Sequence, residues 1–275
     1  MRVLNRHKPT HFGIDYKYAP TTMKWCGSDT EELYYRNCKD DQYKNSLNYY
    51  EENPIEYSCN NYGFRTPDNF PDTKKIEPEH IVLNTDSEDV RRWKETQVYG
   101  NVFLGCSFTF GIGLHLEDTW SYKVNKEIGG KFWNLSLPGC GMDESFRYLY
   151  EFKDCLNIKN IFHFAPPFHK TRYEFIVDGK PLRLNLADEG KLEKHYSDIL
   201  IDDKYQLLNF QKNYNAIKGL SQDLNCNYYL LSDEIDYQDC PPSSRLARDL
   251  SHPGVFYNDR IYKEFMKLTK ELQNG

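Results

Sequence analysis

Serine, histidine, aspartate and glycine recur in this chain where short apolar runs end. The stretch NVFLGCSFTFGIG (101–113) carries such a run into Gly105, Cys106, Ser107 and Thr109. NLSLPGCG (134–141) closes on Pro138, Gly139, Cys140 and Gly141, and RDLSHPG (248–254) sets Asp249 three residues before His252. A serine hydroxyl is a weak nucleophile at neutral pH and needs a base within hydrogen-bond reach. His252 is the candidate base. Asp249 would hold the other ring N–H and so fix the tautomer. Their spacing puts both on one side if the segment takes a helical turn. A tetrahedral intermediate also needs N–H donors, and the backbone amides of Ser107 and Gly139 are the candidates, because glycine lets a backbone approach closely. These are the parts of nucleophilic acyl transfer.

The elements that would position these residues can be read from hydropathy patterning. NVFLG (101–105), KFWNLSL (131–137), KNIFHFA (159–165) and CNYYLLS (226–232) read as short buried strands. Trp120, Val124 and Ile128 form one apolar stripe ended by Gly129-Gly130, which predicts a helix. MDESFRYLYEFKDCLNI and the C-terminal VFYNDRIYKEFMKLTKELQ predict two more, and residues 189–223 read as helical in two pieces. YEFIVDGKPLRLNL predicts a hairpin turning at Asp178-Gly179. Alternation of strands with helices predicts an α/β fold: a mostly parallel sheet of four to five strands with helices on both faces. Ligands bind such sheets beyond the carboxyl ends of the strands. Ser107, Gly139 and the Asp249–His252 pair would all gather at that rim.

Residues 1–95 form a polar extension rich in Tyr, Asn, Asp and Lys, expected to pack on a main domain at 96–275. Within it, DTEELYYRNC predicts a short helix started by Asp29 or Thr30, and IEYSCNNYGFR a strand, a turn at Asn60-Asn61 and an aromatic anchor at Phe64. Residues 1–60 leave room for a protein partner. A net charge of −6 over 275 residues argues against nucleic acid as a partner. No apolar leader or membrane-length run is present in the sequence, so the expectation is a cytoplasmic protein that neither enters nor binds a membrane. The eight cysteines are then expected as thiols, and no Cys-x-x-Cys pair suggests a metal site. No cofactor is implied.

FLGCSFTFG resembles the first block of the SGNH/GDSL hydrolases, usually Gly-Asp-Ser followed by a small-residue turn. NLSLPGCG is similar to their second block, and RDLSHPG to their last, Asp-x-x-His followed by Pro-Gly. YSCNNYGFR is similar to an Asn-x-x-Gly-Phe-Arg segment seen upstream of such domains, and the wording of these blocks resembles uncharacterised members from phages and marine viruses. The resemblance spans roughly residues 55–270. It implies a flavodoxin-like three-layer fold and an esterase, lipase or deacetylase acting on a small-molecule or carbohydrate ester. Ser107 would be nucleophile, His252 base, Asp249 orienter and Gly139 an oxyanion donor.

The chain also departs from that pattern. The third block, Gly-x-Asn-Asp, would follow the third strand, where this sequence reads HFAPPFHKTRYE (163–174). His163, His169 or Arg172 would have to replace the missing Asn, or the site is weak or degenerate. His163 reads better as a core residue. His169 and Arg172 are the candidate substrate-binding residues, with an ion pair between Arg172 and Glu174 as the competing role. Cys106 stands where the usual Asp stands and reads as core packing rather than as a rival nucleophile. An acyltransferase with the same triad and a non-catalytic or virion-structural binding module remain the alternatives.

Overall fold

The computed structural model describes residues 21–70, 98–166, 172–177, 180–185, 202–232 and 246–273. The polar first part opens with β1 (Thr21–Met23), α1 (Glu31–Asn37), α2 (Asp41–Glu52) and β2 (Tyr57–Cys59). Then follow β3 (Gly100–Gly105), the single turn α3 (Ser107–Phe110), a 3-10 turn at Leu116–Asp118, α4 (Trp120–Ile128), β4 (Lys131–Asn134), α5 (Met142–Phe152) and β5 (Ile158–Ala165). The hairpin β6 (Arg172–Val177) and β7 (Lys180–Asn185), α6 (Asp203–Asp223), β8 (Asn227–Ser232) and α7 (Val255–Gln273) complete the chain.

Four strands form a parallel sheet in the order β4-β3-β5-β8. In chain order these are the second, first, third and fourth strands, the doubly wound arrangement. Side chains alternate across the sheet, so each strand feeds two cores. Phe103, Phe132, Phe162 and Tyr229 face α4 and α7, packing on Trp120, Val124, Ile261 and Phe265. Val102, Leu104, Trp133 and Ile161 face the other way, toward Tyr148 and Phe152 of α5 and Ile217 of α6. The result is the expected three-layer α/β/α architecture. An asparagine ladder pins the strand register near the opposite rim. Asn227 donates to Asn160, Asn160 to Asn101 and Asn101 to Asn125, at 2.9, 2.8 and 2.7 Å.

The first part of the chain shares this core. Ile55, Tyr57, Tyr62, Phe64 and Phe70 are all buried with the α5–α6 face. Phe64, the expected anchor, meets Phe70, Tyr148 and Phe152 at ring-centroid distances of 5.9, 5.3 and 5.6 Å. A buried large apolar side chain contributes about 1.5–3 kcal/mol, so these four aromatics and one isoleucine tie this segment to the domain.

Most predicted elements are found within a few residues. The second strand ends at Asn134 rather than 137, because the Asn134 side chain accepts from the backbone and hydroxyl of Ser136 and turns the chain. Helix α2 was not expected from the sequence. Of the 189–223 segment, one helix from Asp203 is described, and residues 186–201 lie outside the described residues. The hairpin pairs in the expected register around 178–179, a turn also outside them. The seven described cysteines are free thiols. No helix among the described residues is long and apolar enough to cross a membrane.

Candidate active site

β3 delivers the chain to the carboxyl rim of the sheet at the point where strand order reverses. Gly105 there has φ +144, and a Cβ would lie 2.2 Å from Thr109 Oγ1, so the sharp turn into α3 needs glycine. Ser107 is the first residue of α3 and is 7% exposed. Its carbonyl accepts from Gly111 and Ile112, and its own N–H meets no acceptor among the described residues. The same holds for the N–H of Gly139 in the turn after β4. Asn134 connects the two turns. Its Nδ2 donates to Thr109 O at 3.1 Å, while its Oδ1 accepts from Ser136 N at 3.1 Å. Asn134 therefore works as a strut between the Ser107 turn and the glycine turn.

Ser107 meets its expected partners. His252 Nε2 lies 2.8 Å from Ser107 Oγ, and His252 Nδ1 lies 2.6 Å from Asp249 Oδ2. The ring stands edge-on to Phe108, centroids 5.6 Å apart, which limits its rotation. The helical turn expected for 249–252 is not what brings Asp and His together. Asp249 Oδ1 accepts from the backbone N–H of Ser251 and of His252, at 3.1 and 3.0 Å, and Leu250 takes a left-handed φ of +54. A leucine in that region stores strain of about 1–3 kcal/mol, held here by the carboxylate. These caps lie ahead of α7, which begins only at Val255.

The Asp249 carboxyl sits below its usual range. Burial pushes it up, but the hydrogen bond and charge of His252, the Ser28 hydroxyl and the Ser251 N–H pull it further down. Asp249 is thus an ionised carboxylate at neutral pH, as an orienting group must be.

Two buried arginines hold the loops in place, and sequence reasoning assigned neither a role. Arg65 closes the Asn-x-x-Gly-Phe-Arg segment, which folds around Asn60: its Oδ1 accepts from Tyr62 N and Phe64 N, both at 3.0 Å. The Arg65 guanidinium donates to the carbonyls of Glu56, Phe110, Gly111 and Leu114 and stacks on Tyr57 at 4.5 Å. Burial pulls its pKa down. It thereby clasps the chain just after the Ser107 turn. Arg248, beside Asp249, is paired bidentately with the buried Asp29 and donates to Lys24 O at 2.6 Å. Tyr57 donates to the same Asp29 and accepts from Gly113 N at 2.7 Å.

The remaining predicted residues separate clearly. Cys106 is buried, as expected for packing. His163 is fully buried on the strand, its Nδ1 3.0 Å from Tyr228 Oη, and burial holds its pKa down at about 3. It is a neutral core residue and does not replace the missing oxyanion Asn. His169 lies outside the described residues. Arg172 is half-buried, and its backbone packs against Gly141 of the glycine turn, where a Cβ would meet Arg172 O at 2.7 Å. The expected ion pair of Arg172 with Glu174 is replaced: Glu174 takes both guanidinium arms of Arg147 at 2.6 Å, because Arg147 on α5 presents its fork across the hairpin. That pair anchors the hairpin over the glycine turn. Among the described residues no cluster of three or more His, Cys, Asp or Glu could hold a metal ion.

No family model and no curated protein matches the chain by sequence. Solved structures do match. The esterase EstA from Pseudoalteromonas sp. is 15% identical, covering 64% of this chain and 99% of its own, with a TM-score of 0.35. The acetyl xylan esterase Est2A from Butyrivibrio proteoclasticus is 11% identical, with 65% of each chain covered, less than two thirds of the enzyme's length, and a TM-score of 0.35. A protein of the G-D-S-L family from Desulfitobacterium hafniense is 14% identical, covering 60% of this chain and 95% of its own, with a TM-score of 0.30. These neighbours are thus two esterases and a protein of the G-D-S-L family, and nothing in them supports the resemblance to viral proteins. Likeness at this level carries no argument about chemistry, which rests on the side chains.

Proposed function

We propose that this chain is a serine-dependent ester hydrolase of the SGNH/GDSL type working through an acyl-enzyme. The observation that carries the reading is the unbroken relay Ser107 Oγ, His252 Nε2, His252 Nδ1, Asp249 Oδ2, with links of 2.8 and 2.6 Å at the rim where strand order reverses. Ser107 Oγ attacks the ester carbonyl while His252 takes its proton. Asp249 keeps Nδ1 protonated, so Nε2 is the basic nitrogen, and stabilises the imidazolium that forms. The oxyanion takes hydrogen bonds from the N–H groups of Ser107 and Gly139, both without another acceptor among the described residues. His252 returns the proton to the leaving alcohol, and water then repeats the sequence on the acyl-enzyme.

By the resemblance of its blocks, the substrate is an ester of a small acyl group such as acetyl, carried by a carbohydrate or another small alcohol. The test is hydrolysis of a panel of short-chain p-nitrophenyl esters and acetylated sugars. Wild type should turn over acetyl esters, with Ser107→Ala and His252→Ala near background. The missing third-block Asn favours one competing reading, a non-catalytic module on the same fold. Loss of one oxyanion donor costs about 10²–10³ in turnover, so turnover that is slow but dependent on Ser107 supports the hydrolase, whereas none at all supports the module. Product appearing only with an added sugar acceptor would point to acyl transfer.

A further inference from the structure

We infer that Ser28, contributed by the polar N-terminal segment, is a positioning residue for the Asp249–His252 pair. The inference rests on the hydrolase reading above and extends it to a residue far from all the sequence blocks that suggested it.

Asp249 has four hydrogen-bonding directions, and each is filled. Oδ1 receives the two backbone N–H groups of Ser251 and His252. Oδ2 receives His252 Nδ1 at 2.6 Å and the Ser28 hydroxyl at 2.7 Å. Ser28 Oγ is also 3.4 Å from His252 Nδ1, so it sits on the shared edge of the pair. A carboxylate held on only three sides can swing about its Cβ–Cγ bond. The fourth donor fixes the plane in which Oδ2 meets the imidazole, and that plane sets where Nε2 points.

Ser28 can do this because its own position is fixed. Residues 26–29 form a tight turn closed by two backbone hydrogen bonds, Cys26 N to Asp29 O at 3.0 Å and Asp29 N to Cys26 O at 3.1 Å. Gly27 seats that turn against Ile112 and Pro138, the latter beside the oxyanion candidate Gly139. The turn is then registered on the Asp–His loop by two adjacent pairs: Asp29 takes Arg248, and Ser28 takes Asp249. The ion pair is buried and places the segment. Ser28 as a residue is exposed and carries no packing load, so its structural value is small, while its hydroxyl reaches inward to Asp249 Oδ2.

The experiment measures phosphonylation of Ser107 by a fluorophosphonate probe, resolved into the rate at saturation and the probe concentration for half-saturation. It compares wild type, Ser28→Ala and Ser28→Thr in the full chain. One partly exposed hydrogen bond of ordinary strength lost from the pair predicts that Ser28→Ala lowers the saturating rate about five- to tenfold. Half-saturation should stay unchanged, and Ser28→Thr, which keeps the hydroxyl, should recover most of the rate. A saturating rate within twofold of wild type overturns the inference. So does a loss carried by half-saturation, which would make Ser28 a binding contact, or a loss that threonine fails to restore. If wild type itself is not labelled at Ser107, the hydrolase reading fails and Ser28 falls with it, an outcome separate from the other three.

Discussion

Replacing Asp29 by asparagine should cost the protein about 3–5 kcal/mol, the usual loss when one partner of a buried ion pair is removed. The Asp29 and Arg248 side chains are 1% and 2% exposed, with guanidinium and carboxylate 2.6 Å apart. Asparagine keeps the shape and one acceptor oxygen but leaves the Arg248 charge buried without a counter-charge, facing Lys24 O and the rings of Trp25, Tyr34 and Tyr50 at 4.0, 5.9 and 6.0 Å. Arg248→Met should cost a similar amount by leaving the carboxylate of Asp29 with only Tyr57 as a side-chain partner among the described residues. The double variant Asp29→Asn/Arg248→Met strands neither charge. It should be less destabilised than the sum of the two by about 2–3 kcal/mol, retaining a residual cost for the lost bond to Lys24. Urea unfolding at pH 7 on all four proteins reads the cycle. Because Arg248 precedes Asp249, Asp29→Asn should also slow labelling of Ser107 under conditions where the protein is fully folded. An additive cycle, or an Asp29→Asn cost under about 1 kcal/mol, would refute the claim that the N-terminal segment is part of the site's framework.

Gly113 has φ +73, and a Cβ there would stand 2.7 Å from Ala247 Cβ and 2.9 Å from Arg248 N; Gly113→Ala should therefore displace the Asp249 loop, cost at least about 2 kcal/mol by urea unfolding and abolish Ser107 labelling. Glu151 has only 3.3 Å contacts to Arg147, whose fork is taken by Glu174. Burial outweighs Arg147 and, with Glu174 adding to it, pushes the Glu151 pKa up to about 8. Since its folded pKa is raised, the stability Glu151 contributes is fully present below the unfolded value of about 4.3 and is lost as pH rises through 8. Glu151→Gln should thus gain steadily on wild type as pH rises from about 5 to 8 and level off above that, as read by thermal or urea unfolding across that range.

Much of the sheet and its helices was legible because their periodicity is strong. Trp120, Val124 and Ile128 form the stripe that faces the core, and Gly129 ends α4 where its left-handed φ predicts. Helix α2 was not legible because only Leu47 in it is fully buried, so no apolar period exists to read. Its helix rests on the Asp40 cap and on packing against the domain. Ser107, Asp249 and His252 could be proposed from type and order alone, since each follows a strand end or sits in a tight local motif. Their support could not. Ser28 is 221 positions from Asp249 in a segment with no pattern of its own. Asp29, Arg65 and Arg248 look like ordinary surface charges until the fold buries them. The turn at Leu250 was misread for a related reason: a leucine carries no signal for positive φ, and the carboxylate that imposes it is a tertiary outcome.

The central claim is that Ser107 is an activated nucleophile. The most direct measurement is fluorophosphonate labelling of the intact protein, with the mass shift mapped to a peptide, beside Ser107→Ala and His252→Ala. The account predicts one adduct, on Ser107, absent in the first variant and strongly slowed in the second. No adduct on well-folded wild type across a range of pH, or an adduct on another residue, would contradict it.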